Sequence, residues 1–89
     1  MTLTITKSAR RFGYVIWSSV TNDEMRKLLK DRESVSVKLN GFSIGEKAVD
    51  WHYHRISIGY KFTRALPETV TKYELKMANG VLEVTTSNG

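Results

Sequence analysis

The chain has 89 residues, no cysteine and a formal net charge of +5. That length fits one domain, and without cysteine neither a disulfide nor a thiolate-held metal can reinforce it. No apolar run approaches the roughly 20 residues of a membrane helix, and the alternating start "MTLTITKSARR" lacks the continuous apolar core of a secretory signal, so a cytoplasmic protein without membrane contact is expected.

In chain order, "LTITK" and "GYVIW" read as two strands around a turn at residues 8–13, with Gly13 as its flexible position. A helix at about residues 21–31, "TNDEMRKLLKD", follows. Thr21 and Glu24 have the spacing of a capping box, while Asp23 and Lys30 suit the two ends of the helix dipole. Met25, Leu28 and Leu29 form a narrow apolar stripe, with Arg26 and Lys30 pointing away from it. So short a helix is marginal in water and must dock on a sheet.

"SVSVKLNGFSIGEK" reads as a hairpin about Asn40-Gly41, pairing Leu39 with Phe42 and Val37 with Ile44. "YELKMANGVLEVTT" reads as a second, about Asn79-Gly80, pairing Met77 with Leu82 and Leu75 with Val84. In both, the turn register agrees with the period-two alternation. Between them "HRISIGYKFTR" reads as a long strand, with Ile56, Ile58, Tyr60 and Phe62 on one face. The expected fold is a mostly-β α+β domain over residues 1–89, its antiparallel hairpins forming a small barrel or sandwich with one short helix.

The positive charge is uneven. Residues 1–33 carry seven basic and four acidic side chains, residues 34–66 five and two, and residues 67–89 two and three. An excess confined to the first two thirds suits an anionic partner such as nucleic acid, or serves solubility alone.

"DWHYHR" places His52 and His54 two apart, on one side of a strand. Two imidazoles so placed offer acid-base chemistry or part of a zinc site, which needs a third ligand. With Lys or Arg help they also fit a small ribonuclease. The opposite side carries Trp51, Tyr53 and Arg55, which read either as core or as a surface that stacks unpaired bases. No phosphate loop, nucleophile elbow or paired-cysteine motif is present, so neither an enzyme nor a cofactor is expected.

The run "SARRFGYVIW", then "EMRKLLKD", then "VSVKLNG" resembles the AbrB-type swapped-hairpin regulators over about residues 2–44. Tyr14 stands where that family usually has arginine, and Trp17-Ser18-Ser19 where it has a proline. The resemblance implies a homodimeric barrel that grips duplex DNA, as a transcription regulator or antitoxin does. Carried over by position, the contacts would be Arg10 and Arg11 in the loop and Arg26 and Lys27 on the helix. A second stretch, "FTRALPETV" with "ANGVLEV", resembles the end of the α-crystallin domain of small heat-shock proteins through Phe62, Arg64, Leu66, Pro67 and Asn79 to Leu82. That resemblance implies a chaperone-like module with a protein partner, and an exposed strand edge would be its means.

Overall fold

In the computed structural model, which describes residues 1–88, seven strands form one sheet in the spatial order β1-β6-β7-β3-β4-β5-β2. The elements run β1 (Thr2–Thr4), α1 (Lys7–Phe12), β2 (Tyr14–Ile16), α2 (Asn22–Leu29), β3 (Ser34–Leu39), β4 (Phe42–Asp50), β5 (Arg55–Ser57), α3 (Tyr60–Arg64), β6 (Val70–Ala78) and β7 (Val81–Asn88). The sheet curls into a nearly closed barrel, so that its two edge strands, β1 and β2, line one cleft together. The protein is α+β and mostly β, with three short helices where the sequence pattern implied one.

Alternation makes the barrel. In β3, Val35, Val37 and Leu39 are buried while Ser34, Ser36 and Lys38 are exposed. Tyr73 and Leu75 of β6 and Leu82 and Val84 of β7 join them in a single core. Each large apolar side chain so buried contributes about 1.5–3 kcal/mol before the entropy of ordering is charged against it.

The second hairpin has the expected register, with Met77 opposite Leu82 and Leu75 opposite Val84. The first departs from it. Leu39 pairs with Phe42 and Lys38 with Ser43, but Val37 pairs with Gly45, so Ile44 is the extra residue of a bulge. Phe42 is 78% exposed, since the hairpin tip extends beyond the core. The two hairpins are joined by a parallel pairing of β3 with β7, from Ser36 opposite Val81 to Leu39 opposite Val84. Asn40 ties this seam, its amide accepting from the Thr86 N–H at 2.9 Å and donating to the Thr86 hydroxyl at 3.0 Å.

Three local expectations are corrected. Residues 8–12 are not a turn but part of α1, whose N-cap Thr6 accepts from the Ala9 N–H at 3.1 Å. The turn is confined to the C-cap Gly13, which is left-handed as its expected flexible role requires. The long strand stops at Ser57. Gly59, at φ 102°, turns the chain into α3, so Ile56 and Ile58 are buried but Tyr60 is not. The capping box does not form either: Thr21 makes no side-chain cap bond, and the Ser18 hydroxyl lies 3.4 Å from the Thr21 N–H instead. Helix α2 spans Asn22–Leu29 and ends at left-handed Lys30. Its buried residues are Met25 and Leu29, as the stripe implied, with Leu28 packed at the margin.

Helices α1 and α3 pack together, and α3 caps α1. The buried Thr63 hydroxyl donates to the Arg10 carbonyl at 2.6 Å, and Arg64 Nε donates to the Arg11 carbonyl at 2.9 Å. These bonds satisfy carbonyls that the end of a helix leaves without partners.

Candidate nucleic-acid interface

Strands β2 and β5 are antiparallel, with Tyr14 opposite Ser57 and Ile16 opposite Arg55. Val15 and Ile56 turn into the core, so Tyr14 and Arg55 face outward as diagonal neighbours. The Arg55 guanidinium lies 4.5 Å from the centre of the Tyr14 ring and 4.8 Å from that of Tyr53. Asp50, opposite Arg55 on β4, holds this group in place. One carboxylate oxygen lies 3.7 Å from Arg55 Nε, and the other accepts from the Tyr53 N–H at 2.9 Å. A shallow depression of about 270 Å³ lies among Tyr14, Ala48, Asp50, Arg55 and Ser57.

The stack continues along the end of α1. The Phe12 ring lies 6.1 Å from that of Tyr14, with the Arg11 guanidinium 5.4 Å from its centre. Arg64, bonded to the Arg11 carbonyl, lies 4.8 Å from the centre of the Tyr60 ring. Phe12 is 51% exposed, Tyr60 50% and Tyr53 61%. Three arginines and four aromatic rings therefore form one connected surface, with Asp50 as the carboxylate paired into it.

The four cations expected at the site do not act together. The Arg10 guanidinium is turned into the protein, donating to the carbonyls of Leu66 at 2.7 Å, Pro67 at 3.3 Å and Val70 at 2.5 Å. It is a clamp on the loop after α3, not a free cation on a turn. Arg26 pairs with Asp31 at 2.8 Å and stacks on Trp51, 4.6 Å from the ring centre. Lys27 borders a separate hollow with Met1, Glu24 and Leu28. Arg11 alone of the four lies on the arginine–aromatic surface.

The histidines do not share a strand face. Both lie in the turn at residues 51–54, and His54 has φ 55°. The His54 ring stacks on Trp17, and His52 packs edge-on against Tyr53. Among the described residues no three acidic or histidine side chains converge on a metal position. Trp51 leaves the expected stacking face: it packs edge-on against Trp17 and donates to the Arg32 carbonyl at 2.8 Å.

The sequence pattern hides Phe12, Tyr60 and Arg64 as site residues, because Tyr60 and Phe62 look like one face of a strand. Gly59 followed by "YKFTR" is the signal for a chain reversal before a short helix. Comparison of the chain with protein-family models, curated proteins and solved structures returns no match.

Proposed function

We propose that the protein binds nucleic acid, taking an unpaired strand across the arginine–aromatic surface of β2, β5 and the end of α1. The observation that carries this reading is Arg55 held between the rings of Tyr14 and Tyr53, with exposed Phe12 beside them. Aromatic faces stack bases of any sequence, for about 1–3 kcal/mol each, while neighbouring cations meet the phosphates. The net charge of +5 favours the same partner. A grip on duplex phosphates alone is less well served, since Arg10 and Arg26 are engaged by the protein's own carbonyls and by Asp31.

The test is a fluorescence-anisotropy titration with a mixed-sequence single strand and its duplex, at low and moderate salt. The single strand binds more tightly, its affinity falls with salt, and the Tyr14→Ala and Arg55→Ala variants bind less well while remaining folded. Absence of binding at low salt, or binding indifferent to both variants, overturns the proposal.

A further inference from the structure

The ladder pattern fixes where the backbone groups of the two sheet edges point. On β1, the Leu75 N–H donates to the Met1 carbonyl at 2.7 Å and the Ile5 N–H to the Thr71 carbonyl at 2.8 Å. Residues 1, 3 and 5 thus bond to β6, and the N–H and C=O of Thr2 and Thr4 point the other way. On β2, the Ile58 N–H donates to the Gly13 carbonyl at 2.7 Å and the Trp17 N–H to the His54 carbonyl at 3.0 Å. Tyr14 and Ile16 therefore turn their backbone groups away from β5. The Tyr73 hydroxyl donates to the Tyr14 carbonyl at 3.4 Å, so that outward group already has a partner. Among the described strands none pairs with the outer edge of β1 or of β2.

Between these edges lies a cleft of about 440 Å³, walled by Thr2, Leu3 and Thr4 on one side and Ile16, Trp17 and Ser18 on the other. Three strand residues fill roughly this volume, given a strand spacing of ~4.8 Å, a rise of ~3.3 Å and a layer ~10 Å thick. No charged side chain lines it, in a protein of net charge +5. Hydroxyls fringe it, and Leu3 and Trp17 give it an apolar floor.

We infer that this cleft is a docking slot for an extended, uncharged segment of a partner protein, which enters as an additional strand and completes the barrel. The backbone supplies the affinity by pairing with the free edges of β1 and β2, as in other cases of strand addition. Alternate side chains of the segment meet the apolar floor, and those between them meet the threonine and serine hydroxyls. A charge facing the apolar floor is selected against, because it would be desolvated there with no partner. Since β1 and β2 run in opposite directions around the barrel, the guest is antiparallel to one wall and parallel to the other.

The probe is the blocked pentapeptide acetyl-Thr-Val-Thr-Val-Thr-amide, added to ¹⁵N-labelled full-length protein and followed by NMR. Amide shifts at Thr2, Thr4, Ile16 and Ser18, with slowed amide exchange there, are expected at millimolar peptide or below. The same peptide with every peptide nitrogen methylated binds at least tenfold more weakly. Thr4→Pro removes an outward N–H that β6 does not use and abolishes the response while the fold is kept. Absence of shifts at millimolar peptide, equal binding of the methylated peptide, or shifts confined to the arginine–aromatic surface overturn the proposal. Shifts at the same amides that grow with protein concentration alone also overturn it, in favour of a second copy as the occupant.

Discussion

Gly13 sits against the backbone of Tyr60 so closely that a Cβ built on it would lie 2.2 Å from the Tyr60 nitrogen. Gly13 also has φ 77°, and its carbonyl accepts from both Ile58 and Gly59. The contact is backbone against backbone, so no rotamer change relieves it. Gly13→Ala is expected to destabilise the protein by more than about 3 kcal/mol, through steric displacement and left-handed strain together. Urea denaturation measures this, and a loss below ~1 kcal/mol contradicts the geometry.

Arg10 is a structural residue. Its guanidinium joins α1 to the carbonyls of Leu66, Pro67 and Val70. Arg10→Ala removes this donor from the Leu66 and Val70 carbonyls, while that of Pro67 keeps the Val70 N–H, and is expected to cost about 2 kcal/mol. Arg10→Lys restores the charge but not the planar fork, and rescues only part of the stability. Arg11→Ala, on an exposed side chain, changes stability little. Parallel denaturation curves for the three variants separate these effects.

Tyr73 is buried with its hydroxyl toward the Tyr14 carbonyl. Burial pushes that hydroxyl up to about 12 from the usual 10, against the opposing pull of the Arg10 charge. The unfolded chain releases this proton first, so the linked stability is fully present below pH 10 and is lost as the pH rises toward 12. Tyr73→Phe is expected to flatten that part of the stability profile. A profile as steep as the parent's between these pH values counts against the burial argument.

Arg11 and Arg64 provide the net charge of the proposed binding surface, since Arg55 is paired with Asp50. For a single strand, each phosphate that a cation neutralises adds about 0.7 to the steepness of log K against log salt. Replacing Arg11 and Arg64 by Gln should therefore reduce the slope by roughly 1.4. Phe12→Ala should weaken binding by about 1–3 kcal/mol and leave the slope unchanged, because a ring releases no counterions. Anisotropy titrations across a salt series distinguish the two kinds of effect.

What the sequence determined by itself was local. Asn79-Gly80 between alternating strands fixed the register of the second hairpin, because turn chemistry and side-chain period point to the same pairing. The apolar spacing of Met25 and Leu29 placed α2 in the same way. The tertiary structure decided what depends on distant partners. The bulge at Ile44 lies beside the strand that also carries the parallel seam to β7, and no local pattern shows that seam. Helices α1 and α3, of six and five residues, are too short for a period, and each is held by bonds to the other. Adjacent arginines at positions 10 and 11 look alike in sequence. Successive helical residues point about 100° apart, which sends Arg10 into the protein's own carbonyls and leaves Arg11 on the surface.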